Sequence, residues 1–162
     1  MTILEEVINM QLPLVIALNK VDILTKTQID EYHRIIHISF QFAKYIPIIN
    51  LSAQTGKGVS QLFDILERLR QEREEHIGTP DLNKLVRTAL VQRPPRFPKN
   101  KACKISYITQ VENEPPTFIV FVNDTKRATS AFKKWLENTI RLHSPFVGKP
   151  LRIFWRNKRK EE

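Results

Sequence analysis

Short apolar runs alternate along this chain with longer segments of helical spacing. Leu14-Val15-Ile16-Ala17-Leu18 is continuous and apolar between Pro13 and Asn19, which predicts a buried strand that delivers its next residues to a loop. Residues 2–10 read as the end of a helix. Thr27 caps a predicted helix to about Tyr45 with Ile35, Ile36, Ile38, Phe42 and Ala43 as its stripe, and Ile46-Pro47-Ile48-Ile49 opens a second buried strand. After Gly56 and Gly58, a helix is predicted from Val59 to about His76. It turns Val59, Leu62, Phe63, Leu66 and Leu69 inward and Glu67, Arg68, Glu72 and Arg73 outward. Strands and helices in this alternation predict a parallel β/α segment.

Gly78 stops that helix, and Thr79-Pro80-Asp81 supplies a cap residue and a first-turn proline for the next. The new helix ends before Pro94-Pro95, and a polar basic linker runs to Asn100. Ala102 to Val111 alternates as a strand with Ile105, Tyr107 and Thr109 on one side, Glu112 to Pro116 is a turn, and Phe118 to Val122 pairs back as a hairpin. Asp124 or Thr125 caps a helix through about His143, and Leu151 to Trp155 forms a last strand. The fold class is therefore α/β, with a partial β/α segment over 1–76, a small α+β domain in the order α-β-β-α-β over 79–157, and a basic, charged tail at 158–162.

With 162 residues, 41% of them apolar, the chain is long enough for one ordinary domain or two small ones. Its longest apolar stretch is about seven residues, far short of the roughly twenty that span a bilayer. Glu5 and Glu6 spoil a signal-peptide reading, so a cytoplasmic protein without a membrane partner is expected. The single cysteine, Cys103, has no intramolecular disulfide partner and is expected to be a buried apolar residue. The net charge of +9 is unevenly spread: residues 1–78 hold 8 basic and 10 acidic side chains, residues 79–162 hold 18 and 7, giving −2 and +11. Concentrated positive charge draws polyanions by counterion release, which makes nucleic acid the leading partner class for the second half.

Candidate chemistry lies at the ends of the first two strands. In Asn19-Lys20-Val21-Asp22, Asp22 suits the N1–H and N2 amine of guanine as a charge-assisted acceptor. Adenine would leave that carboxylate unsatisfied. Lys20 would lay its stem on the base, and Asn19 would tie this loop to the neighbouring one. Four residues with one wildcard recur by chance, but Leu51-Ser52-Ala53 follows at the next strand end, with Ser52 beside a backbone N–H near Ala53 that is suited to the guanine carbonyl. No G-x-x-x-x-G-K-[ST] phosphate loop occurs in the sequence; Thr55-Gly56-Lys57-Gly58 fails its spacing because position 51 is Leu. The two glycines are read as a turn into the following helix.

These loops, together with Thr79-Pro80-Asp81-Leu82-Asn83-Lys84, Tyr107-Ile108-Thr109-Gln110-Val111, Pro115 to Asn123 and Gly148-Lys149-Pro150-Leu151-Arg152-Ile153, resemble the double-Era-like ribosome-assembly GTPases called Der or EngA. The resemblance extends over nearly the whole chain. It implies that residues 1–76 look like the last part of a second, P-loop-type GTPase domain and 79–157 like a KH-like domain. It also implies GTP or GDP as ligand, with Mg²⁺ in the intact protein only, and as partners the large ribosomal subunit, its RNA and the N-terminal GTPase domains. The phosphate loop, Mg²⁺ residues and switches of that family are not in this sequence, so this chain alone is expected to bind nucleotide weakly or not at all and not to hydrolyse it. The start at Met1 is read as the beginning of a fragment.

The family's KH-like label raises RNA binding, yet no G-x-x-G clamp is present among the four glycines. The RNA-contact candidates are Arg93, Arg96, Lys99, Lys101, Lys104, Lys126, Arg127, Lys133, Lys134, Arg152, Arg156, Lys158, Arg159 and Lys160, a set suited to phosphates without sequence-specific DNA reading. Trp135, Trp155, Phe118, Phe121, Phe132 and Phe154 are stacking candidates only if exposed, and their spacing favours core packing for most. His33 and His37 lack a third ligand, so no metal is assigned. The alternative functional reading is a non-enzymatic RNA- or ribosome-binding module, or a protein-docking one, with a vestigial nucleotide site.

Overall fold

The computed structural model describes residues 3–40, 43–71, 76–97, 102–111, 115–144 and 146–158. Its contacts divide the chain into two compact units, residues 1–74 with 147–150 and residues 75–146 with 151–162. The architecture is mixed α/β, as expected.

In the first unit, α1 (Ile3–Asn9), β1 (Ile16–Leu18), α2 (Lys26–Ser39), β2 (Ile48–Asn50) and α3 (Val59–Gln71) follow one another. β1 and β2 are parallel, with Ile16 opposite Ile48 and Leu18 opposite Asn50. Helix α2 starts two residues earlier than predicted because Thr25, not Thr27, closes a capping box: its side chain accepts from Gln28 N and the Gln28 side chain accepts from Thr25 N. The helix stops at Ser39 instead of Tyr45. Phe42, Glu72 and Arg73 lie outside the described residues.

The expected burial in this unit is corrected. β1 is only three residues long, Ala17 in its centre is exposed, α2 buries no residue, and Ile35, Ile38, Phe63 and Leu66 are exposed. Phe63 reaches 65% exposure, while Leu69, nearly two turns later, is buried. A two-strand sheet offers too little apolar surface to cover both helical stripes, so positions with core spacing remain at the surface. Val147 to Pro150 belongs to this unit: Leu14 N donates to Gly148 O at 2.9 Å and Gly148 N donates to Tyr45 O at 2.7 Å.

The second unit contains α4 (Thr79–Gln92), β3 (Ile105–Val111), β4 (Thr117–Val122), α5 (Ser130–His143) and β5 (Arg152–Asn157). The expected α-β-β-α-β order is present, and the sheet runs β3-β4-β5 with the first pair antiparallel and the second parallel. Leu82 and Val86 of α4, Phe132, Leu136 and Ile140 of α5, and Ile108, Phe118, Val120 and Val122 of the sheet form one buried cluster. Each fully buried side chain of this kind contributes about 1.5–3 kcal/mol, which makes this cluster the principal stabilising feature of the unit. Asn83 of α4 acts toward β3 as an extra strand would: its Nδ2 donates to Ile108 O at 2.7 Å and its Oδ1 accepts from Ile108 N at 3.1 Å. Buried Gln110 similarly accepts from Ile77 N at 2.9 Å.

Helix α5 starts later than predicted, because Asp124 caps a separate 3-10 turn at Thr125–Arg127 and Thr129 caps α5 by accepting from Phe132 N. Cys103 is buried with its Sγ 3.8 Å from Asp124 O.

Candidate functional site

The parallel β1-β2 pair brings its two following loops side by side. Leu51 N donates to Leu18 O at 2.8 Å and Val21 N donates to Leu51 O at 3.2 Å, extending the ladder past both strands. Lys20 takes a left-handed conformation, φ 65°, which is uncommon for a side-chain-bearing residue and places a sharp reversal inside the four-residue motif. Around that reversal Asn19, Lys20 and Asp22 are exposed whereas Val21 is buried. The wildcard position of the motif is thus an apolar peg, and the three polar positions face outward. Asp22 sits within the short 3-10 turn Val21–Ile23.

Asn19 Oδ1 accepts two hydrogen bonds, from Lys20 N at 2.8 Å and from Ala53 N at 3.1 Å. The second joins the two loops, as the sequence led us to expect of this amide. It also engages the Ala53 N–H, the group expected to face the guanine carbonyl. Both lone pairs of Oδ1 are thus used within the two loops. Ser52 is fully buried, and its bonds shape its own loop: N donates to Lys57 O at 2.9 Å, O accepts from Gly56 N at 2.9 Å, and Oγ accepts from Thr55 N at 3.2 Å.

Gly58 explains the end of this loop. At φ 80° a Cβ would lie 2.0 Å from the carbonyl oxygen of Asn50, whereas at Gly56 a Cβ would meet nothing within 4 Å. His33 Nε2 lies 2.7 Å from Asn50 Oδ1 on the last residue of β2. Among the described residues no group of three His, Cys, Asp or Glu side chains is arranged to hold a metal ion.

The basic candidates lie on several elements of the second unit. Arg93, Arg96, Lys104, Lys126, Arg127, Lys133, Lys134, Arg156 and Lys158 are exposed and Arg152 is half-buried. Arg127 pairs with Asp124 at 3.2 Å and Lys134 with Glu137 at 3.3 Å, so part of this charge is already compensated. Lys99, Lys101, Arg159 and Lys160 lie outside the described residues. Of the aromatic candidates, Phe118 and Phe132 are buried. Trp135 stacks on Phe132 at 5.6 Å and donates Nε1–H to Arg93 O at 2.8 Å, and Trp155 packs on Phe132 at 5.6 Å with its ring tilted by 50°. Phe121 and Phe154 are not part of that core, and Phe154 is 50% exposed.

Sequence reasoning did not identify Val21, Asn83 or Gly148 as structural determinants. Gly148 has φ 67°, and a Cβ there would fall 2.8 Å from Leu69 Cδ2 and 2.9 Å from Leu14 O, a constraint made by partners distant in sequence. A buried apolar residue within an otherwise polar motif was the available hint for Val21.

Among the described residues no helix is long and apolar enough to cross a membrane. Residues 76–156, half of the chain, match the family described as KH-domain-like of EngA bacterial GTPase enzymes, C-terminal. The protein named GTPase Der of Natranaerobius thermophilus is 37% identical over 149 residues, covering 91% of this chain and 34% of that protein. GTPase Der of Ruminiclostridium cellulolyticum is 34% identical over 149 residues, with coverage of 91% and 34%. GTPase Der of Chloroflexus aggregans is 34% identical over 160 residues, with coverage of 96% and 35%. The chain spans about a third of the length of these relatives. With its three-stranded sheet and α-β-β-α-β order, the chain belongs to the EngA (Der) family of bacterial GTPases and carries that family's C-terminal KH-domain-like region.

Proposed function

We propose that this chain supplies guanine recognition and an RNA-facing module to a Der-type GTP-binding protein that acts in assembly of the large ribosomal subunit. Residues 1–76 act as the base-binding end of a GTPase domain, 79–157 as the KH-like module and 158–162 as a basic tail. The observation that carries the reading is the Ala53 N to Asn19 Oδ1 bond, which holds the two base loops as one unit. Asp22 accepts from the guanine N1–H and N2 amine, Asn19 presents its NH₂, and Lys20 covers one face of the ring. Ser52 and Ala53 set the shape of the second loop.

GTP or GDP is the ligand, and this sequence provides neither a phosphate loop nor Mg²⁺ ligands, so hydrolysis is a property of the whole Der-type protein and not of this chain. Phosphate contacts dominate affinity in such sites, which places binding here in the weak range. Ligand-observed NMR with millimolar GDP tests the reading: GDP and GTP compete, ATP does not, and Asp22→Ala abolishes the effect. No guanine-selective binding at millimolar nucleotide overturns it. For the basic unit, affinity for ribosomal RNA falls steeply between low and moderate salt; a flat salt dependence overturns that part.

A further inference from the structure

We infer that the open face of the β3-β4-β5 sheet is a stacking platform for unpaired RNA. The inference deepens the RNA-facing part of the proposed function and rests on it. Residues directly opposite one another in a sheet share a face, and the register defines two. One face carries Ile108, Val120 and Trp155 in one row and Gln110, Phe118 and Ile153 in the next, and belongs to the core shared with α4 and α5. The other face carries Tyr107, Phe121 and Arg156 in one row, Thr109, Ile119 and Phe154 in the next, and Val111, Thr117 and Arg152 in the third.

Three aromatic rings thus stand on the side of the sheet away from its core. Tyr107 is 44% and Phe154 50% exposed, and the Tyr107 and Phe121 rings are 6.1 Å apart at 46°. Two strand spacings and two residue rises put Tyr107 and Phe154 about 12 Å apart, the span of a few nucleotides. Exposed Arg156 and half-buried Arg152 flank Phe154 on β5 and share its face; Thr117 is buried, so the open part of the face is the two rows that hold the rings. Large exposed aromatics cost solubility and require an explanation, and rings interleaved with arginine suit a ligand that has flat apolar faces and a negative backbone. Charge decides between nucleic acid and an apolar protein partner: residues 79–162 carry +11. Paired RNA hides its base faces, so the occupant is a single strand or an unpaired loop.

The experiment measures fluorescence anisotropy of a labelled single-stranded ten-nucleotide oligouridine and of a duplex hairpin of similar length, titrated with the 162-residue chain. The single strand is expected to bind about tenfold tighter than the duplex at equal salt. Phe154→Leu and Tyr107→Leu, which keep apolar bulk but remove the ring, are each expected to lose about tenfold for the single strand and leave the duplex unchanged, and Phe154→Trp to retain binding. Circular dichroism confirms that the variants fold. Equal loss for both RNAs, or no loss for either with RNA still bound, overturns the platform and leaves the electrostatic reading standing. No RNA bound even at low salt overturns both. Phe154→Leu abolishing self-association of the chain in sedimentation, with RNA binding untouched, makes this a protein-docking face and also overturns the inference.

Discussion

The backbone N–H of Ala53 donates to the side-chain Oδ1 of Asn19 over 3.1 Å, although 34 residues separate them. Lys20 N is 2.8 Å from the same oxygen, so a single acceptor orders the reversal at Lys20 and the neighbouring loop together. Substituting Asn19→Ala removes both bonds and is expected to cost about 1 kcal/mol in urea unfolding of the first unit, since the released amides reach water. Asn19→Asp keeps the acceptor and loses the NH₂. It should preserve stability while weakening guanine nucleotide in NMR titrations, and equal stability loss in the two variants would contradict the bridge.

The two loop glycines separate backbone cost from steric cost. Gly56→Ala meets open space and carries only the left-handed penalty of about 1–2 kcal/mol. Gly58→Ala also drives a Cβ to 2.0 Å from Asn50 O, so the Ser52–Ala53 loop must move. Thermal denaturation should show the larger loss for Gly58→Ala, accompanied by loss of nucleotide binding. Similar melting points for the two variants would refute the close approach as the reason for glycine.

The joining of those loops was legible because each directly follows a strand, and the paired ends of β1 and β2 bring Asn19 and Ala53 together. The second unit was legible in element order because alternation over 105–111 and 117–122 acts over a few residues, but its caps were not: Gly78 and not Thr79 precedes α4, without a side-chain bond, and Thr129 and not Asp124 or Thr125 caps α5. Burial in the first unit was not. Ile35, Ile38, Phe63 and Leu66 have core spacing, but exposure depends on how many strands exist to receive them. The cap of α2 was not legible at Thr27, because it is the reciprocal bonds with Gln28 that make Thr25 the cap. Gly148 takes its meaning from Leu14 and Leu69, more than 70 residues away along the chain.

Asn83 satisfies both backbone groups of Ile108. Asn83→Leu leaves that N–H and C=O without these partners beside a buried residue, so a loss of about 2–3 kcal/mol is expected. Hydrogen exchange at Ile108 is the direct probe, with accelerated exchange expected in the variant. Unchanged protection there would mean the clamp is dispensable.

The Cys103 thiol is held above its ordinary pKa, first by burial and then by the Asp124 carboxylate, with Arg127 opposing. The folded chain therefore keeps this proton at pH values where the unfolded chain has lost it. The resulting stability is fully present below the unfolded cysteine value of about 8.5 and declines as pH rises beyond it. Between pH 7 and 10 the wild type is expected to lose stability relative to Cys103→Ala, and native-state maleimide labelling to be slow. Parallel pH profiles for the two proteins would contradict this burial.

The proposed base recognition depends most directly on Asp22. Guanine carries an amine at C2 where xanthine carries an oxygen, so a carboxylate at residue 22 matches the first, and an amide, which can donate, matches the second. Competition of GDP and xanthosine diphosphate, measured by NMR on the wild type and on Asp22→Asn, reads this out. The prediction is a reversal, with the wild type preferring GDP and Asp22→Asn preferring the xanthine nucleotide. Identical preference in the two proteins would contradict base recognition by Asn19-Lys20-Val21-Asp22.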